Sequence, residues 1–151
     1  MPSANNIHAN LIAIDGEGVL ITGPSGSGKT LLSLHLIRRC HHADIDVNLV
    51  ADDQVLLATR DGQLIGSAPD TTRGKIEIRG MGIVQTPPFE YQEILISLHI
   101  VLTSQTAMMR MWDGRKTSIA GVPIDTLALG SDNIEAAGNA ALAKLGHPIW
   151  V

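Results

Sequence analysis

The chain has 151 residues, 44% of them hydrophobic and only 3% aromatic, with a formal net charge of −4. That length is one domain's worth, taken here as 1–151, and folding it buries roughly two-thirds of the unfolded chain's surface. The acidic balance argues against a nucleic-acid partner, since phosphate backbones are held by clustered Lys and Arg. No run approaches the ~18 apolar residues of a membrane span. The start, MPSANNIHAN, lacks the basic and apolar regions of a secretory leader, and the lone Cys40 cannot close an internal disulfide. The chain therefore reads as cytoplasmic.

The first apolar run covers residues 7–14 and meets the turn-forming series Asp15, Gly16, Glu17, Gly18, which predicts a hairpin into a strand at Val19, Leu20, Ile21 and Thr22. A glycine-rich loop follows. Leu31, Leu32, Leu34, Leu36 and Ile37 then predict a helix with a wide apolar face, ending near residues 39–42, where cationic side chains suit a helix C-terminus. Residues 47–51 predict a short strand ending on Asp52 and Asp53. Asp61-Gly62 predicts a second hairpin, between strands at 55–58 and 63–66.

Ile76, Ile78 and residues 81–84 flank a further glycine-rich stretch, stopped by Pro87-Pro88. Residues 94–102 predict a strand carrying His99, Asp113-Gly114 marks a turn, and residues 134–145 predict an Ala-rich helix. No repeat or linker interrupts the series. Hairpins outnumber helices, so the fold class is α/β with a mixed sheet, unlike the regular strand–helix alternation of a purely parallel sheet.

Gly23, Pro24, Ser25, Gly26, Ser27, Gly28, Lys29 and Thr30 satisfy G-x-x-x-x-G-K-[ST] at every position, directly after a predicted strand and before a predicted helix. Glycines let successive N–H groups converge on phosphate oxygens, and the helix N-terminus adds its partial positive charge. Lys29 can neutralise β- and γ-phosphates, and the Thr30 hydroxyl can ligate Mg²⁺. This is a P-loop nucleotide-binding domain, with ATP and Mg²⁺ as its expected cofactors.

Phosphoryl transfer also needs a group that activates the acceptor and acids near the metal. Asp52 and Asp53 end a strand, and alternation would send them to opposite faces, one toward the γ-phosphate; a strand-end turn or helix cap accounts for them equally well. Glu77 and Arg79 should share a face opposite Ile76 and Ile78, either as site residues or as a salt bridge on a solvated strand. His8 lies on the strand preceding the loop's strand, where hairpin pairing could bring it to the loop mouth, or it is a satisfied surface residue. His35, His41, His42, His99 and His147 show no metal-ligand spacing.

Together Ile7-His8, the complete glycine loop, Val50-Ala51-Asp52-Asp53, and the Glu77-Ile-Arg-Gly-x-Gly-Ile83 signature resemble the catalytic domain of the HPr kinase/phosphorylase family over residues 7–102. The resemblance implies that family's fold, PEP-carboxykinase-like in architecture. It also implies phosphorylation of a serine of HPr, the small phosphocarrier of the bacterial sugar phosphotransferase system. By the same resemblance Lys29 binds phosphates, Thr30 and Glu77 hold the metal, Asp53 is the general acid/base with Asp52 beside it, and His8 stands near the acceptor serine. In reverse, Asp53 would protonate the serine oxygen as inorganic phosphate attacks.

The chain departs from the family pattern in several places. No counterpart of the family's N-terminal domain is visible, so the resemblance is to a short single-domain form. Residues 43–48 look like an insertion, and residues 86–90 are altered by Pro87-Pro88. The family's C-terminal Pro-Gly-Arg-Asn motif lines up with Leu129, Gly130, Ser131, Asp132 and Asn133, without its arginine; Arg110 and Arg115 are the candidates to replace it. Two other readings share the loop: a small-metabolite kinase, whose usual arginine-dense lid this chain lacks, and a module that senses nucleotide without turning it over. Homo-oligomers stay open.

Overall fold

The computed structural model describes residues 5–104 and 108–150. Residues 1–4 of the segment inspected for a leader, and three more residues and the last one of the 1–151 domain, lie outside that range. The elements run β1 (Asn5–His8), β2 (Asn10–Ile14), β3 (Glu17–Thr22), α1 (Lys29–His42), β4 (Val47–Ala51), β5 (Gln54–Arg60), β6 (Gln63–Ser67), β7 (Lys75–Ile78), β8 (Gly82–Gln85), β9 (Glu93–Thr103), β10 (Lys116–Ile119), β11 (Val122–Gly130) and α2 (Ile134–Lys144).

Nine strands form one sheet in the order β1-β5-β6-β9-β3-β2-β4, with β11 also paired to β9 and β10 to β11; β7 and β8 form a separate hairpin. The sheet is mixed, as the pattern predicted: β9 runs parallel to both β3 and β11, while the other pairs are antiparallel. Its 11 residues make β9 the hub. Near its start Glu93, Ile94 and Leu95 pair with β6, and further along Leu98 to Thr103 pair with β11, so the sheet divides along this strand.

Two buried clusters lie on the two faces. On one, Ile12, Ile14, Val19, Ile21, Leu98, Ile100 and Leu102 pack against Leu32, Leu36 and Cys40 of α1 and Ala137, Ala141 and Leu142 of α2. On the other, Leu11, Ala13, Leu20 and Ile96 meet Val55, Leu57 and Leu64, because the sheet curls back over itself. Residues alternate between the two clusters along β2 and β3, the period of a strand buried on both faces. Ala-rich α2 gives close approach to α1, where a Cβ on Gly138 would stand 2.6 Å from the His35 ring.

The predicted turns at Asp15-Gly16 and Asp61-Gly62 both form, with φ of 50° and 80° and of 54° and 74°. These left-handed pairs match the twist of the strands they join. The expected single run at residues 7–14 is instead two strands: β1 pairs with β5 and β2 with β3 and β4, so the chain changes partners at the buried Ala9. The hairpin β10–β11 was not foreseen; it reverses at Ala120-Gly121, φ 50° and 81°. The turn expected at Asp113-Gly114 does not form: the bend falls earlier, at Arg110 and Met111, and at Asp113 only the side chain closes back, its Oδ1 accepting the Arg115 N–H at 3.0 Å.

Candidate active site

The glycine loop, residues 23–28, joins the C-terminal end of β3 to α1. Gly23 passes so close to β9 that a Cβ there would sit 2.6 Å from the Leu102 carbonyl oxygen. Gly26 and Gly28 take φ of 78° and 96°, where a side chain would be strained. Gly28 caps α1 without a side chain, and the first turn holds no acid. Unmatched N–H groups and the positive end of the helix dipole therefore open onto the loop, the arrangement that receives an anion. Lys29 is only 6% exposed; its ammonium folds over the loop and donates to the Gly23 and Pro24 carbonyls at 3.0 and 3.2 Å.

The two aspartates follow the end of β4 rather than lying within it. Their side chains diverge because the backbone turns, with Asp53 at φ 69°, and not because of strand alternation. Asp52, 7% exposed, points inward. Its Oδ1 accepts the Thr30 hydroxyl at 2.9 Å and the Asn10 amide at 2.9 Å, and its Oδ2 accepts the Glu77 backbone N–H at 3.1 Å. A buried carboxylate is tolerated because three donors satisfy it. Asp53 points outward, its side chain 56% exposed, and its Oδ1 lies 2.8 Å from His8 Nε2. That distance fits the Nε2–H tautomer donating to the carboxylate.

His8 reaches this point by a different route from the hairpin expected. It ends β1, whose register sets His8 opposite Gln54, the residue after Asp53. Thr30 and Glu77, paired in sequence as metal residues, are connected through Asp52, which receives the hydroxyl of one and the backbone N–H of the other. Glu77 lines the same cavity, on the separate β7–β8 hairpin. Among the described residues it forms no ion pair with Arg79.

A cavity of about 640 Å³ brings these groups together, lined by Lys29, Thr30, Asp52, Asp53, Glu77 and His8, with Ser25, Gly26, Gly28 and Arg79 also on its wall. That volume suits a small-molecule site. Thr30, Asp52 and Glu77 offer only oxygen donors, the chemistry of a hard divalent cation. Among the described residues no group of three or more His, Cys, Asp or Glu side chains forms a closed metal cage.

Two residues at or beside this cavity, Asn10 and His99, carry no role in the sequence reading, and Arg79 appears there only as the face-mate of Glu77. Asn10 touches both aspartates; its signal was a polar residue heading the otherwise apolar Asn-Leu-Ile-Ala-Ile strand. Arg79 brings a guanidinium beside the loop, its Nη2 4.0 Å from where a Gly26 Cβ would stand. Neither Arg110 nor Arg115 lines the cavity, and Arg115 instead lies 3.7 Å from Asp113. His99 is buried below the loop, Nε2 2.7 Å from the Thr22 hydroxyl, and burial holds its pKa below the ordinary value. Of the segment aligned with the arginine-bearing motif, Asn133 caps α2, accepting the Ala136 N–H at 2.9 Å.

The family profile described as HPr Serine kinase C-terminal domain matches residues 1–128. The HPr kinase/phosphorylase of Clostridium tetani is 46% identical over 81 residues, covering 54% of this chain and 25% of the relative. That of Clostridium botulinum is 39% identical over 100 residues, covering 62% and 31%. The chain thus spans between a quarter and a third of the length of these relatives. The structure of the Hpr(Ser) kinase/phosphatase from Coxiella burnetii superposes with a TM-score of 0.71 at 28% identity, over 94% of this chain and 99% of that one. The chain belongs to the HPr serine kinase C-terminal domain family.

Proposed function

We propose that this member of the HPr serine kinase C-terminal domain family works as a single catalytic domain, transferring the γ-phosphoryl group of ATP to a serine of the phosphocarrier protein HPr. The observation that carries the reading is the convergence, in one cavity, of an uncapped glycine-loop helix and a two-aspartate turn whose members face different ways. A nucleotide sensor needs the loop alone; Asp53 paired with His8 at the open wall is what an acceptor hydroxyl requires.

In this reading the loop N–H groups and Lys29 hold the phosphates, so the ammonium exchanges its two loop carbonyls for phosphate oxygens. Mg²⁺ fits Thr30, Asp52 and Glu77 because such ions take one or two protein carboxylates and complete their shell with phosphate oxygens and water. When bound it supplies neutralisation of the charge on the transferring group. Asp53 accepts the proton of the serine hydroxyl as that oxygen bonds to phosphorus and the bond to ADP breaks; His8 holds the carboxylate in place. In the reverse direction Asp53 returns the proton to the serine oxygen as inorganic phosphate takes the phosphoryl group, giving pyrophosphate. Arg79 is placed to meet phosphate charge at the loop mouth. The reading places the enzyme in the cytoplasm with HPr, where the free Cys40 thiol is at home.

The test is incubation of the chain with ATP, Mg²⁺ and purified HPr, with intact-mass detection of the product. One added phosphate on a serine of HPr, absent without Mg²⁺, is expected. Nucleotide binding without any modification of HPr would leave the sensing module as the better reading.

A further inference from the structure

Asn10 opens β2, a strand buried at every position, and is itself only 1% exposed. A valine or leucine would serve the strand there; a buried amide is tolerated only when its polar atoms are used. They are used, all of them on the site or its helix. Nδ2 has two hydrogens and three oxygens near it: Asp52 Oδ1 at 2.9 Å, Ser33 Oγ at 3.2 Å and Thr30 Oγ1 at 3.5 Å, so the first two are its partners and the third is marginal. Oδ1 accepts the Asp53 backbone N–H at 3.0 Å. One side chain therefore fixes the carboxylate of one aspartate and the backbone of the next.

The second bond is the more informative. Asp53 sits at φ 69°, left-handed backbone that a non-glycine residue keeps only when its surroundings impose it. Its side chain is exposed and, among the described residues, held by the half-exposed His8 alone. The constraint comes from beneath, through Asn10 and through the neighbouring bond from the Ala9 N–H to the Asp53 carbonyl at 3.1 Å. We infer that Asn10 is a positioning residue, tying the proton-accepting aspartate to the helix that carries the phosphate loop, so that Asp53 and Thr30 keep one geometry. The inference rests on the kinase reading for what Asp53 does, but the linkage itself stands on Asn10.

The test is a double-mutant cycle on folded, monodisperse protein. Asn10→Leu keeps the size and removes all three hydrogen bonds; turnover on HPr should fall about 10²-fold, as for a displaced general base, with the KM for ATP at saturating Mg²⁺ within about threefold. On an Asp53→Asn background, with Mg²⁺ saturating so that the Asp52 bond does not limit turnover, the same change should cost less than about threefold more, because its route through Asp53 is already gone. Turnover of Asn10→Leu within about threefold of the parent, or losses that multiply in the double variant, would overturn the inference.

A parent that fails to phosphorylate HPr counts against the kinase reading alone. The linkage is then decided by amide exchange at Asp53, which should be at least about tenfold faster in Asn10→Leu; unchanged protection overturns it. Should Asn10→Leu not fold, Asn10→Asp divides the question, because it keeps the oxygen that accepts the Asp53 N–H and replaces the donor to Asp52 with a second carboxyl. Protection at Asp53 should persist while the Mg²⁺ needed for half-maximal ATP binding moves by at least about threefold. Loss of protection, or an unmoved Mg²⁺ requirement, would overturn the inference.

Discussion

The Thr30 hydroxyl donates to Asp52 Oδ1 at 2.9 Å, joining the first turn of α1 to the residue after β4. This bond brings a carboxylate beside the one loop side chain suited to a metal, and it makes Asp52 the closest acid to Thr30 rather than Glu77. Asp52→Asn tests that position. An amide can satisfy only part of a set of three donors, so at least one of Thr30, Asn10 and Glu77 N–H loses its acceptor. Stability should fall by about 1–3 kcal/mol. The Mg²⁺ concentration for half-maximal turnover should rise at least about tenfold, since one charge at the ion is gone. Thermal melts and a Mg²⁺ titration separate the effects; an unchanged Mg²⁺ requirement in folded protein would place the ion elsewhere.

Lys29 presents a different expectation, because its ammonium is already engaged with two loop carbonyls. Lys29→Ala removes charge-assisted bonds to phosphate, typically ~1.5–3 kcal/mol each. ATP affinity should drop about 10- to 100-fold, measured by calorimetry, with turnover abolished and the fold intact by circular dichroism. Parental affinity in the folded variant would remove the loop from nucleotide binding.

Asp53→Asn is the sharpest test of the chemistry. Asparagine adopts left-handed backbone as readily as aspartate, so φ 69° is not challenged and the Asn10 bond to the backbone N–H survives. Only charge and basicity leave. Turnover on HPr should fall 10²–10⁴-fold, about 3–5 kcal/mol of barrier, while ATP affinity stays within a few-fold. A turn residue would behave in the opposite way, losing ~1 kcal/mol of stability with little change in rate per folded molecule. Phosphorylation within a few-fold of the parent would exclude Asp53 as the base.

Much of this was legible in the sequence, because local rules governed it. The Asp15-Gly16 and Asp61-Gly62 turns follow from residues that tolerate φ > 0, and the glycine loop from a spacing that few other structures need. The hairpin at 116–130 escaped because Ala120 is not a turn-forming residue; cross-strand pairing and β9 hold it there. The roles of Asp52 and Asn10 escaped for the same kind of reason. Asn10 and Asp52 are 42 positions apart in the chain, and only the pairing of β2 with β4 brings them to 2.9 Å. His8 was singled out, but its path to Asp53 depends on β1 pairing with β5, a register that the apolar pattern of residues 7–14 conceals.

His99 gives a prediction in pH. Its ring lies on β9 beside β3, with Nε2 2.7 Å from the Thr22 hydroxyl and Nδ1 buried with no hydrogen-bond partner among the described residues. Burial lowers its pKa from the ordinary 6.5. The folded ring thus stays neutral at a pH where the ring in the unfolded chain has begun to bind a proton. Below about 6.5 the unfolded state holds more protons, so stability falls as pH drops, and above that value the contribution is complete. Protonation would also make Nδ1 a charged donor with no acceptor among the described residues, one residue from the Gly23 backbone through Thr22. The melting temperature of the parent should therefore decline more steeply between pH 7 and pH 5.5 than that of His99→Gln, which keeps a polar partner for Thr22 and does not titrate. His35 leaves a residual slope of the same sign in both proteins, its pKa lowered by burial and then by Arg39 and Arg38, an effect only partly offset by Glu135. Parallel melting curves for the two proteins across that window would mean that the ring beneath the loop is not what acidification acts on.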